Sequence, residues 1–264
     1  MTIYLEKAAR PAQSVPMTDA EWQARVQLAA CYRIFDMLGW VEMIFNHITA
    51  RVPGPASAPD SVRFLINPFG LHYREIKASN LLLIDIEGNP LRASEWPVNR
   101  AGFVIHSAIH AAIANAHCVM HTHTTSGIAV ACLKQGLSPH NFYGAMLHGR
   151  VAYHALQGVT VDTAERESIV RDLADKETMI LRNHGLLSWG PTVAEAYLRL
   201  WTLQRACDVQ LAASRAGGEV NPVSPQVIER MLAESGPGES RVCHDVFAAL
   251  VRQVDARDPS YRDL

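Results

Sequence analysis

Two histidines stand one residue apart, His121 and His123 in VMHTHTTSG, after an apolar run and before small polar residues. On a strand, residues i and i+2 share a face, so both imidazoles can reach one cation. The segment reads as the C-terminal end of a strand before a helix start, where α/β architectures place ligand sites. Taken alone, the pair is equally well explained as half-exposed strand histidines bonded to water. A third histidine, His184 in RNHGLLSWG, directly follows another apolar strand and precedes a glycine. Together the three make a three-nitrogen shell with an open position, the design of a catalytic rather than a structural zinc site. Imidazole also suits other cations. The expected cofactor is one divalent metal, Zn2+ first, with Mn2+, Fe2+ or Co2+ as alternatives.

Of the 12 histidines, eight lie between His106 and His154, so the others need a reading too. His106 and His110 sit at i and i+4 on one helical face. Their sequence, HSAIH, lacks the glutamate of an HExxH motif. The pair is read as structural, with His106 as a possible hydrogen-bond donor behind the metal ligands. His148 and His154 flank a short strand and read as satisfied polar residues that could line a pocket.

The elements that must position these side chains follow from period and caps. Residues 1–17 hold Pro11 and Pro16 and read as an extended arm. A capping box, Thr18 with Glu21, opens a helix with Trp22, Val26, Ala30 and Ile34 on one stripe, ending near Gly39. MIFNHITARV, VRFLI and LLLIDI read as strands separated by turn-forming sequence. A helix is expected over about 101–116, then the strand CVMHTH, the helix SGIAVACLK and the short strand RVAYH. Asp162 with Glu165 opens another helix to about 175. TMILR and LLSW are strands on either side of NHG. Thr192 with Glu195 opens a long helix to about 214, with Val193, Tyr197, Leu200 and Gln204 on one side. Helices are expected at about 225–234 and 242–255. Several strands are joined by short turns. This favours an α/β fold with a mixed, mainly antiparallel sheet and helices on its faces, over residues 18–264 as one domain.

Composition narrows the classes. The chain has 264 residues, 48% hydrophobic and 19% charged, with a net charge of −2. There is no basic block to bind nucleic acid or an anionic membrane surface. No apolar run approaches the length that spans a bilayer. The start lacks the basic and apolar regions of a secretory signal. Five scattered cysteines form no CxxC pair, which fits reduced thiols in a cytoplasm. The expected partner is a small-molecule substrate, with no nucleic acid and no membrane.

FNHIT, FLINPFGL, LLLIDIEGNP, AGFVIHSAIH, VMHTHTTSG and MILRNHGLLSWG, in this order and spacing, resemble the class II aldolase/adducin family. The resemblance covers about 20–213, and the C-terminal FAALVRQVDARDPSYRDL looks like the bacterial adducin-like branch. It implies a three-layer α/β/α fold around a mainly antiparallel nine-stranded sheet. It implies a homotetramer with active sites between subunits, and zinc or another divalent metal on His121, His123 and His184. In the aldolase branch the metal acts as a Lewis acid and stabilises an enediolate after C–C cleavage, while a protein base moves the proton.

The chain departs from that branch at the base. The family's catalytic Glu or Asp lies four residues before the histidine matching His106, and here that position is Gly102. Arg100 and Ala101 stand where two phosphate-holding serines are usual, and Phe69 of NPFG replaces a small polar residue. The expected function is therefore a divalent-metal-dependent lyase, aldolase- or decarboxylase-like. Its substrate would be a small hydroxy or keto carbonyl compound or carboxylate. The alternatives are a non-catalytic adducin-like scaffold and a sugar-phosphate aldolase with a displaced base such as His106. Arg100 could hold a carboxylate through its forked guanidinium. Tyr143 and His148 are the proton-donor candidates by family layout. The resemblance sets Asn46 and His47 of FNHIT at a position near the substrate, and Asn46 could contact ligand or bond backbone. Asn67 and Gly70 could line an anion pocket or make the turn, the latter being favoured.

Overall fold

In the computed structural model, residues 17–54, 61–158, 165–234 and 240–263 are described, without the side chains of 100–102 and 240. The expected N-terminal arm up to residue 16, and Asp162 of the second capping box, fall outside them. Seven strands form one sheet: β1 (His47–Val52), β2 (Arg63–Ile66), β3 (Leu82–Asp85), β4 (Cys118–Thr122), β5 (Val151–His154), β6 (Thr178–Leu181) and β7 (Gly185–Gly190). Their order across the sheet is β3-β2-β1-β4-β7-β6-β5. Every neighbouring pair is antiparallel except β5 with β6. The mainly antiparallel mixed sheet is thus as expected, with seven strands among the described residues where the resemblance implied nine.

Alternation along the strands sorts the two faces. Ile48, Ala50, Val52, Cys118 and Met120 pack into the larger core with α1 (Asp19–Leu38) and α6 (Val193–Arg215). Val119 and Leu187 turn the other way and pack with Ile105 and Ile109 of α2 (Arg100–Ala112) and Ile169 and Leu173 of α5 (Glu165–Leu173). Helices therefore cover both faces, and the layers are α/β/α. The remaining helices are α3 (Thr125–Ala131), α4 (Phe142–Met146), α7 (Pro225–Glu234) and α8 (Ser240–Arg257). α8 packs on α1 and α6, and α4 on α6 and α7. The short helix α4 carries no apolar period and was not expected from sequence.

Three local expectations need correction. Thr18 does cap α1, accepting from the Glu21 amide at 3.2 Å. The Glu21 carboxylate, however, does not reach back to the cap. It is buried and takes the Arg25 guanidinium at 2.8 Å and that of Arg92. A buried carboxylate is costly unless paired, so the ion pairs outcompete the cap. The buried stripe of α1 is also shifted: Arg25, Leu28, Ala29, Tyr32 and Phe35 line it with Ala30 and Ile34, while Trp22 and Val26 are half-buried. Finally, α2 ends at Ala112 rather than near 116, where Ala116 turns back onto the Ile113 carbonyl. The stripe of α6 is as expected, with Val193, Tyr197, Leu200 and Gln204 buried.

Candidate metal centre

The antiparallel register gathers histidines at one end of the sheet. His121 near the end of β4 lies opposite His47 at the start of β1. Thr122 lies opposite Leu186, just after the β6–β7 turn, and Leu181 opposite Gly185. The turn itself is residues 182–184, with Asn183 in the left-handed region at φ 59°, which asparagine tolerates better than most residues. Gly185 is needed for close approach: a Cβ there would stand 2.2 Å from the Thr122 carbonyl oxygen and 3.0 Å from the His121 ring.

The structure brings the candidate ligands His121, His123 and His184 together, each offering a nitrogen within 4.8 Å of the others. Nε2 of His121 lies 2.7 Å from Nε2 of His123 and 3.3 Å from Nε2 of His184. His121 Nδ1 donates to the Leu186 carbonyl at 2.8 Å, which puts its proton on Nδ1 and aims the Nε2 lone pair at the other two rings. Burial, with charge on His184 and His123 as the next cause, holds the His121 pKa well below its usual value. Burial likewise lowers His184 to about 4 and lowers His123. Near neutral pH all three are neutral imidazoles, the state that ligates metal.

The donor set fits a divalent cation. A tetrahedral zinc ion with bonds of about 2.0–2.1 Å separates ligand nitrogens by roughly 3.3 Å, so the His121–His184 spacing matches and the His121–His123 spacing opens by about 0.6 Å. A cation also resolves the chemistry of three nitrogens that otherwise crowd one another.

Beside His123 lies an open cavity of about 490 Å³, lined also by Trp40, Thr124, Gln204, Asp208 and Arg215. Its wall is polar and ordered: Thr124 Oγ1 donates to Gln204 at 2.5 Å, and Gln204 Nε2 donates to Ser126 at 2.7 Å and to Asp208 at 2.8 Å.

The other predicted residues divide. Asn46, one residue before β1, is 1% exposed, and neither atom of its side-chain amide has a partner. Asn67 is occupied: its amide oxygen lies 2.9 Å from the Tyr32 hydroxyl, and its nitrogen donates to the Asn46 carbonyl at 3.5 Å. Gly70 holds a turn at φ 114°, with the Trp96 ring 3.2 Å from where a Cβ would be. Arg100 opens α2, and its side chain lies outside the described residues. Tyr143 in α4 packs edge-on against Trp201 of α6, and His148 is exposed beside a smaller cavity. Within one chain, neither forms a hydrogen bond or ring contact with the three histidines among the described residues. His106 bonds through both ring nitrogens, to His47 at 3.0 Å and to Thr49 at 2.8 Å. His154 is held between Asp172 at 2.7 Å and Glu165 at 3.2 Å, a satisfied polar residue as expected.

Sequence reasoning passed over Thr49, and set His47 only beside Asn46 near the substrate, not in this line of rings. Their signal was present in NHIT, where i and i+2 share the face on which His106 and His110 lie. The pairing that joins them spans about 57 to 61 residues of sequence and is invisible without the register.

The sheet order, the layers and the strand-end imidazoles define a protein of class II aldolase type. The profile of the Class II Aldolase and Adducin N-terminal domain matches residues 26–211. The chain belongs to that family. An aldolase II superfamily protein from Pseudomonas syringae superposes with a TM-score of 0.87 at 43% identity, covering 94% of this chain and 98% of the other. An L-fuculose 1-phosphate aldolase from Glaciozyma antarctica superposes with a TM-score of 0.79 at 28% identity, covering 95% and 97%. Alpha-adducin of Rattus norvegicus is 41% identical over 218 residues, 81% of this chain but 29% of the adducin. No helix among the described residues is long and apolar enough to cross a membrane.

Proposed function

We propose that this chain is a divalent-metal-dependent lyase that cleaves a C–C bond in a small hydroxy or keto carbonyl compound or carboxylate. The observation that carries the reading is the convergence of three neutral imidazoles beside an open, polar cavity. His121, His123 and His184 hold the cation, Zn2+ first, through Nε2. A cation there supplies Lewis acidity to a substrate oxygen. The Leu186 carbonyl keeps the His121 lone pair aimed inward, and Gly185 lets the turn close over the site. Asn46, buried with an unpartnered amide, is the substrate contact this reading favours, and Arg100 is its candidate for holding a carboxylate. With glycine at residue 102, decarboxylation of a carboxylated substrate has the advantage that it starts without proton abstraction. In this reading Tyr143 and His148 are the proton-donor candidates, supplied by a neighbouring subunit of a homotetramer. Residues 18–264 form one domain in this reading.

A second reading has a specific observation behind it: the 41% identity to alpha-adducin over most of this chain favours a non-catalytic binding module that keeps the fold. One experiment separates the two. Metal is counted per subunit in wild type and His121→Ala, and both proteins are given keto acids, hydroxy acids and sugar-like substrates. One divalent ion per subunit, lost in the variant, with CO2 or a carbonyl product formed only by the wild type, supports the lyase. No metal after reconstitution and no turnover puts the binding module first.

A further inference from the structure

Behind the three histidines runs a second line of imidazoles, fully buried between α2 and the sheet. His110 Nδ1 lies 2.7 Å from the Ala116 carbonyl oxygen. A carbonyl only accepts, so Nδ1 carries the proton and, in a neutral ring, Nε2 is bare. That bare nitrogen is 2.8 Å from Thr49 Oγ1, so the Thr49 hydroxyl spends its one hydrogen there. Thr49 Oγ1 must then accept from His106 Nδ1, also at 2.8 Å. His106 Nε2 is left bare and accepts from His47 Nδ1 at 3.0 Å. Burial holds His110 near a pKa of about 3, so its ring is neutral, and with neutral imidazoles beyond it the geometry gives each later link one direction.

The chain of bonds has one direction, and it ends at His47 Nε2. That atom has no hydrogen-bond partner among the described residues, although His47 is 3% exposed. Its ring lies 5.3 Å from the His121 ring, on the same face of the sheet. A charge on His123 or His184 is also felt there.

We propose that the Ala116 carbonyl, His110, Thr49 and His106 lock His47 as its Nδ1–H tautomer, so that Nε2 stands beside the metal ligands to accept the hydroxyl hydrogen of the bound substrate. The proposal rests on the metal-site reading above and narrows its substrate to one bearing a hydroxyl next to the group on the cation. Had His47 the opposite tautomer, it would present N–H to that position and would favour a bare oxyanion. Thr49, His106 and His110 are positioning residues; His47 touches the substrate.

The test uses zinc-loaded protein carrying ¹⁵N-labelled histidine, studied by solid-state NMR, with His47 signals assigned by their loss in His47→Gln. The expected result is a protonated Nδ1 and a bare Nε2 that does not take on the metal-bound shift. A protonated Nε2, or one bound to zinc, overturns the proposal without touching the three-histidine site. Glycolate and acetate, which differ by one hydroxyl, then probe the consequence. Wild type prefers glycolate. In Thr49→Val the preference falls about tenfold, the worth of one hydrogen bond, and Thr49→Ser restores it. An unchanged preference in a folded, zinc-bearing Thr49→Val protein sinks the acceptor role. If that variant does not fold, the tautomer measured in wild type decides alone. Samples that bind no zinc overturn the metal reading and this proposal with it.

Discussion

Six imidazoles about β1, β4 and the β6–β7 turn fall into two groups that use the same side chain in opposite ways. In the inner group, His47, His106 and His110, each ring contact is a donor facing an acceptor, and the line closes on a backbone carbonyl. In the outer group, His121, His123 and His184, like nitrogens face one another across 2.7 and 3.3 Å. Among the described residues the inner group is satisfied by protein atoms at every ring nitrogen except His47 Nε2. In the outer group no bond to the backbone sets the tautomer of His123 or His184 among the described residues, and a divalent cation would satisfy the three converging nitrogens together. Burial differs in part, since all three inner rings and His121 are buried while His123 and His184 are half-buried. The larger difference is that a donor and an acceptor are fixed at every inner link, whereas in the outer group the backbone fixes only His121.

The largest expected effect tests the outer group. His121→Ala removes the one ligand whose tautomer the backbone fixes, and metal content should fall from about one ion per subunit to near zero by elemental analysis. Retention of the ion would mean the outer histidines are not its ligands, and the contrast between the groups would collapse.

Next comes the inner group. His106→Leu leaves the His47 and Thr49 partners unsatisfied in a dry site, at a cost of about 2–4 kcal/mol. A urea titration should register that loss while metal content stays at the wild-type value. If metal is lost as well, the two groups are one unit. A smaller effect is expected of Gly185→Ala. Its Cβ would stand 2.2 Å from the Thr122 carbonyl oxygen, so the turn must shift, at about 1–3 kcal/mol, and His184 moves with it. Here both the urea midpoint and the zinc affinity should fall. A drop in one alone would separate the turn's packing from its ligand.

The two groups were not equally legible in the sequence. HTH and NHG announce themselves because each ligand sits at the end of an apolar strand, and strand period alone puts His121 and His123 on one face. The layers and the antiparallel pairing followed from short turns between strands. The inner line was half visible: His106 and His110 show helical spacing, but their partners His47 and Thr49 arrive only through the packing of α2 on β1. Glu21 misled in the same way, because Arg92, which takes it from the cap, is 71 residues away. Local period and caps are written in neighbouring residues; long-range polar pairing is decided by the tertiary structure.

The smallest expected effect distinguishes the groups by pH. His110 has a folded-state pKa of about 3, lowered first by burial, against 6.5 for a free histidine. Between those values the unfolded chain binds a proton that the folded chain refuses. Stability is therefore highest above pH 6.5 and falls as the pH drops toward 3, by about 1.4 kcal/mol per pH unit for one such group. His110→Gln keeps the packing logic: the amide nitrogen can donate to the Ala116 carbonyl, and the amide oxygen can accept from Thr49. It cannot take up a proton. Stability measured by urea unfolding from pH 7 to pH 5 should decline less steeply in His110→Gln than in wild type, by about that one-proton slope below pH 6.5. Parallel curves would show that His110 is already protonated when folded. Its Nε2 would then be a donor, and the inner line would no longer run one way to His47.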